Sequence, residues 1–201
     1  MLDRIALKLV KPAVEAAAAR LSARGLTADQ ATLTGFGFAM LAAVMIAAGF
    51  TAAAILPLLV NRALDGIDGA LARRAGATGR GAFLDISLDF VFYAAIPLAF
   101  AALAPAENAM AAAVLLAAFV ATGTSFLAFA VIAEKRGLKS TEYPSKSFYY
   151  LGGLTEGTET ILCFLAMCLW PQHFAAIALV YAALCAMTAL TRLIAGWKMF
   201  D

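Results

Sequence analysis

Four aspartates carry the chemistry this chain could do. Asp65 and Asp68 stand three apart, and Asp85 and Asp89 four apart. On a helix either spacing puts both carboxylates on one face. Only about residues 74 to 80 separate the two segments, so they fold back as an antiparallel hairpin and the pairs can converge. Four carboxylates at one point must share protons or bind cations. With no Cys or His nearby, the ligand set is all oxygen. That suits Mg²⁺ or Mn²⁺, or Ca²⁺, and disfavours zinc and copper. Mg²⁺ normally keeps positions open for water and substrate phosphate, which points to a metal–diphosphate site. Arg73, Arg74 and Arg80 offer guanidinium groups suited to phosphate oxygens. Gly66, Gly69, Ala72, Gly76, Gly79 and Gly81 leave room for a ligand or for close helix packing.

The elements that must hold these residues are membrane helices. Of the 201 residues, 64% are hydrophobic and 14% charged, far from the half-apolar, quarter-charged balance of a soluble domain. The composition excludes disorder, a collagen and a disulfide scaffold. A spanning helix needs about 20 mostly apolar residues. Six stretches qualify, near 31 to 50, 52 to 72, 82 to 104, 109 to 132, 149 to 170 and 173 to 196. Pro57 and Pro97 fall inside the second and third, which membrane helices tolerate. The runs are too long, too Ala-rich and too free of alternation for strands.

Residues 1 to 25 differ. Ile5, Leu9, Val10 and Val14 recur at helical spacing, with Arg4, Lys8, Lys11, Arg20 and Arg24 on other faces. This predicts an amphipathic interfacial helix. A signal peptide would need a continuous apolar core, and the charges interrupt it. The expected architecture is an all-α integral membrane protein. One domain over 1–201 comprises the interfacial helix (1–25) and a six-helix transmembrane bundle (31–196). Cys163, Cys168 and Cys185 lie in apolar runs, as small buried residues do. His173, beside Trp170 and Pro171, fits a membrane boundary.

All 15 basic residues fall in the N-terminal arm, around the junction of spans two and three, between spans four and five, or in the last span and tail. The other three connections contain none. With six spans, every basic segment then shares one side, and the positive-inside rule puts both termini and the aspartates at the cytoplasmic side. The clustering also weighs against a divalent-cation transporter. A pore would set acidic residues near the midplane, without arginines to repel its ion.

The residues resemble a known family, the CDP-alcohol phosphotransferases or CDP-alcohol phosphatidyltransferases. The signature reads Asp65-Gly-Ile-Asp68-Gly69-Ala-Leu-Ala72-Arg73, then Gly81-Ala-Phe-Leu-Asp85-Ile-Ser-Leu-Asp89. The spacer between Arg73 and Gly81 holds seven residues, one fewer than is usual in the family. Of the family's Pro-Asn-x-x-Thr segment only Thr32 survives, in Ala28-Asp29-Gln30-Ala31-Thr32. The resemblance implies phospholipid biosynthesis. A CDP-linked lipid such as CDP-diacylglycerol passes its substituted phosphate to a small alcohol, and CMP leaves. It further implies that Asp65, Asp68, Asp85 and Asp89 hold one or two Mg²⁺ or Mn²⁺ ions. Asp68, Gly69, Ala72, Arg73 and Gly81 would receive the nucleotide and diphosphate, and Asp89 would be the general base. A homodimer in a bacterial inner membrane is expected, and no nucleic-acid partner.

The second half must hold the acceptor, and its signals conflict. Lys135, Arg136, Lys139, Lys146 and Arg192 form a cationic set that suits an alcohol bearing phosphate, such as glycerol 3-phosphate or inositol phosphate. Arg192 lies within the last span, so of this set it is the least suited to mark topology. The Lys135 to Lys146 run also serves the positive-inside rule. Glu156 and Glu159 share a face at the start of span five. They could bind a cationic acceptor, orient hydroxyls or pair with the basic set. Serine-accepting relatives often carry a proline here, where this chain has Thr155-Glu156-Gly157. Serine, choline-like and other acceptors stay as alternatives.

Overall fold

The computed structural model describes residues 3–137 and 153–200. Seven α-helices run in order: α1 (Asp3–Ser22), α2 (Ala28–Ala47), α3 (Ile55–Ala75), α4 (Gly79–Leu103), α5 (Pro105–Lys135), α6 (Gly157–Leu169) and α7 (Phe174–Phe200). A single 3₁₀ turn, Pro171–His173, joins the last two. The described residues contain no strand.

The sequence decides where the helices begin. Thr27 closes a capping box: its Oγ1 accepts from Gln30 N at 3.2 Å, and the Gln30 side chain accepts from Thr27 N at 3.0 Å. This satisfies two N–H groups that a helix start would orphan, so α2 starts before the expected position 31. Residues 51 to 54 form a turn, and α3 starts at Ile55 rather than 52. Pro57 therefore stands in a first turn, where its missing N–H costs nothing. Pro97 does lie inside its helix. Thr78 caps α4, its Oγ1 accepting from Gly81 N at 3.0 Å.

Four helical stretches are long and apolar enough to cross a bilayer: Ala28–Ala47, Gly79–Leu103, Pro105–Lys135 and Pro171–Phe200. Two of the six expected spans differ from these four in character. α3 has the length, but Arg62, Asp65, Asp68, Arg73 and Arg74 make its second half strongly polar. α6 is apolar but has 13 residues, about 20 Å at 1.5 Å per residue, against a hydrocarbon core of about 30 Å. Residues 149–152, which open the expected fifth span, lie outside the described residues.

α2 packs against α3 and α4, α4 against α5, α5 against α7, and α1 against α3. The main core is built from small residues, with Ala39, Ala42, Ala111, Ala112, Ala178 and Ala182 all buried. This lets backbones approach closely, the usual currency of helix association in lipid. Phe92, Tyr93, Phe119 and Phe164 fill the space between α4, α5 and α6 with edge-on and tilted ring contacts. Large side chains such as Leu56, Leu98, Val120, Val180 and Leu190 point outward. An apolar exterior around a small-residue interior is a membrane protein's distribution.

The N-terminal helix uses its apolar face only in part. Val14 and Ala18 pack on Ala31, Ala70 and Leu71, whereas Val10 is exposed. Cys163, Cys168 and Cys185 are buried thiols, and His173 is exposed at the turn.

Candidate active site

The four aspartates lie where α2 begins, α3 ends and α4 begins. Gly76, at φ +94°, ends α3, and Ala77 and Thr78 complete a link of three residues to α4. This is the hairpin expected from the sequence, with a shorter turn. It brings carboxylate oxygens of Asp65, Asp85 and Asp89 within 4.8 Å of one another. Asp68 is buried on the α2 side and accepts a hydrogen bond from Thr32 Oγ1 at 2.6 Å. One pocket is lined by all four, together with Thr32, Gly35, Phe36, Asn61, Leu88 and Phe92.

Three converging carboxylates without nitrogen or sulfur donors fit a divalent metal. The spacing matches ligands drawn to one ion, and Asp85 is exposed, so an ion can enter. Asp65, Asp85 and Asp89 would hold it, with Asp68 adjacent.

A cation from the chain itself is also present. Arg62 reaches into the site from the preceding turn of α3. Its Nη2 donates to Asp89 Oδ1 at 2.9 Å, and its Nη1 lies 3.5 Å from Asp65 Oδ2. Its Nε donates to Asn61 Oδ1 at 2.8 Å, and Asn61 Nδ2 in turn donates to Gly35 O at 3.0 Å. The guanidinium stands over the Phe92 ring, 4.8 Å from its centroid. Sequence reasoning counted Arg62 only as a basic residue. Its spacing of three from Asp65 was the available signal.

The residues expected to receive nucleotide and diphosphate ring the same mouth. Gly69 and Ala72 are half-buried on α3, and Gly81 sits in the first turn of α4. A Cβ on Gly81 would stand 3.2 Å from Thr78 Oγ1 and 3.3 Å from Asp29 Oδ1. Arg73 is exposed and pairs with Glu15 of α1 at 3.0 Å, while Arg74 lies 3.7 Å from the same carboxyl group. The Arg73 hydrogen bond holds the Glu15 carboxyl below its ordinary range. Arg80 pairs with Asp29 at 2.5 Å. All three arginines thus have acidic partners on α1 or α2, a pairing the sequence did not announce.

The expected acceptor residues divide. Arg192, 7% exposed, lies on the inner face of α7. Its Nη1 donates to Thr122 O at 3.2 Å, and its guanidinium is 5.4 Å from the Phe126 ring centroid. Glu156 is buried nearby, accepting from Gly153 N at 3.2 Å. Gly153 borders Arg192 as well: a Cβ there would stand 3.2 Å from its Nη2. Thr155 and Thr188 join hydroxyls at 3.0 Å in the same cluster. Lys135 is exposed at the end of α5, apart from these contacts. Lys146 and Lys139 lie outside the described residues. Glu156 and Glu159 have a role missing from the three foreseen. They form a reciprocal capping box at the start of α6, where two carboxylates also face the positive end of the helix dipole. An acid followed three residues later by Glu was a readable sign of it.

The polar cluster abuts the aspartate site through one close helix contact. Gly123 follows Thr122 on α5, and a Cβ on it would overlap the Phe90 ring, next to Asp89.

A family model for CDP-alcohol phosphatidyltransferases matches residues 26–197, almost the whole chain. The chain belongs to the CDP-alcohol phosphatidyltransferase family. It is therefore a membrane enzyme that transfers a phosphatidyl-type group, with a divalent metal as cofactor. It is 51% identical over 197 residues to the inner membrane protein YnjF of Escherichia coli strain K12, covering 98% of this chain and 96% of that protein. Two crystal structures of the phosphatidylinositol phosphate synthase PgsA1 of Mycobacterium tuberculosis share the fold. One, with CDP-DAG bound, has a TM-score of 0.73 and 22% identity over 92% of this chain and 93% of that one. The other, in complex with manganese and citrate, has a TM-score of 0.71 and 23% identity over 92% and 88%.

Proposed function

We propose that this enzyme acts in phospholipid biosynthesis, transferring the substituted phosphate of a CDP-linked lipid such as CDP-diacylglycerol to the hydroxyl of a small polar alcohol. The observation that carries the reading is the convergence of Asp65, Asp85 and Asp89 within 4.8 Å, beside the half-buried Gly69, Ala72 and Gly81. Asp89 takes the acceptor's hydroxyl proton. The alcohol oxygen forms a bond to the lipid-side phosphorus, the bond from that phosphorus to the bridging oxygen breaks, and CMP departs with that oxygen. Arg73 exchanges Glu15 for the diphosphate. When bound, Mg²⁺ or Mn²⁺ supplies charge neutralisation for the diphosphate and the departing CMP. The buried Arg192 favours an acceptor that itself carries phosphate, such as glycerol 3-phosphate or inositol phosphate, with Thr188 and Glu156 bordering the same space. On this reading the enzyme sits in the inner membrane with its termini and site on the cytoplasmic face, and acts as a homodimer.

The test supplies purified enzyme with CDP-diacylglycerol, Mn²⁺ or Mg²⁺ and a panel of labelled alcohols. CMP release dependent on a phosphorylated alcohol is the expected result. Release with serine or a choline-like alcohol alone would overturn the acceptor assignment. No release with any member, in folded enzyme, would overturn the reading. Asp89→Asn should lower CMP release by roughly 10²-fold or more, the usual worth of a general base. Normal turnover by that variant would remove Asp89 from the role.

A further inference from the structure

The transfer chemistry leaves Arg62 unused, although Asn61, two aromatic rings and two carboxylates surround its guanidinium. Asn61 fixes Nε from one side, and the Phe92 and Tyr93 rings flank the plane at 4.8 and 5.9 Å. Asp65 and Asp89 take the two terminal nitrogens. Asn61 is itself tied to the α2 backbone at Gly35. This is a built pocket for a cation, with aromatic faces and two carboxylates all favouring positive charge. Asp65 and Asp89 are also two of the three carboxylates that can converge on a metal ion. A divalent ion drawing on all three must compete with the guanidinium for two of them.

We propose that Arg62 is a resident counter-cation of the metal site. It holds the Asp65–Asp89 edge, weakens ion binding there, and keeps Asp89 oriented as a base while that carboxylate also borders the ion. It acts through Asp89 and is a positioning residue. The inference rests on the metal-dependent reading of this site. Its chemistry is simple competition: like charges repel, so a fixed guanidinium beside the ion lowers ion affinity, and its removal raises it. A divalent ion that settles on Asp89 engages an oxygen that would otherwise accept the acceptor's proton.

Mn²⁺ binding read by electron paramagnetic resonance, without either substrate, tests this apart from activity. Wild-type enzyme should take a first ion with an isolated-ion spectrum. Any second ion should bind at least about tenfold more weakly, a gap of about 1.4 kcal/mol. Arg62→Gln should tighten Mn²⁺ binding at least tenfold or bring the two ions to similar affinity, with dipolar broadening. Arg62→Lys keeps the charge and should stay within about threefold of wild type. In turnover, Arg62→Gln should lower kcat, with the KM for CDP-lipid little changed. Two equivalent ions in wild type, or unchanged affinity in folded Arg62→Gln, would overturn the proposal. Should that variant not fold, the wild-type titration and Arg62→Lys decide: a tenfold tightening in the lysine variant also overturns it. No Mn²⁺ binding by wild type would instead strike the metal reading beneath.

Discussion

A single buried arginine carries the acceptor assignment at the residue scale. A charged side chain within a membrane helix is costly unless it finds partners. Arg192 meets the Thr122 carbonyl and the Phe126 face, both on α5. A charged side chain kept inside a membrane helix marks a ligand path by default. Arg192→Ala should therefore raise the KM for a phosphorylated acceptor about tenfold or more, near 1.4 kcal/mol. The KM for CDP-lipid should change little. Arg192→Lys should recover only part, because an ammonium cannot present two parallel N–H donors to one phosphate. Steady-state kinetics with each substrate varied in turn provides the check. An acceptor KM that does not move would mean the guanidinium serves α5–α7 packing alone.

Helix contacts decide whether the two halves of the site can work together. Gly123 brings α5 against Phe90, and Phe90 is bonded along the chain to Asp89. Gly123→Val should push the ring aside, destabilising the enzyme by about 1–3 kcal/mol as overpacking does. Adding Phe90→Ala should return at least half of the loss, measured as the thermal midpoint in detergent. Independent, additive losses would mean that the Gly123–Phe90 contact does not set this helix spacing. The element scale also shows what the sequence made legible. Apolar length alone located α2, α4, α5 and α7, because lipid demands about 20 apolar residues and little else does. The aspartate spacings located the site, since three and four residues are one helical turn. What escaped was pairing across elements. Arg62 with Asp89, Arg73 with Glu15 and Arg80 with Asp29 are 27, 58 and 51 residues apart. No local period marks such partners. α3 and α6 differ from the other spans in a polar second half and a shorter helix, which an apolar window averages over. The Glu156–Glu159 box was not among the three roles expected for these residues, because the same carboxylates can cap, bind or pair.

Across the whole molecule, orientation decides which compartment supplies the nucleotide and takes back CMP. The starts of α2 and α4 and the end of α3 meet at one end of the bundle, with Arg73, Arg74 and Arg80 beside them. The other end is made by residues 48–54, by Ala104 between α4 and α5, and by the Trp170 to His173 turn, with no Lys or Arg among them. This asymmetry is what the positive-inside rule reads, so the aspartate end should face the cytoplasm. The cysteines make the test clean: Cys163, Cys168 and Cys185 are all buried and should react poorly with a membrane-impermeant maleimide. Single reporters can then be placed at exposed positions, Ser22→Cys and Lys198→Cys at the aspartate end, Glu107→Cys and Gln172→Cys at the other. In sealed spheroplasts the last two should label and the first two should stay protected until the membrane is opened. The reverse pattern would invert the topology and send CMP to the outer face. Labelling of Glu107→Cys together with Lys198→Cys would mean that α6 fails to cross, and labelling of Lys198→Cys alone that α3 does, the two helices whose composition or length departs most from a full span.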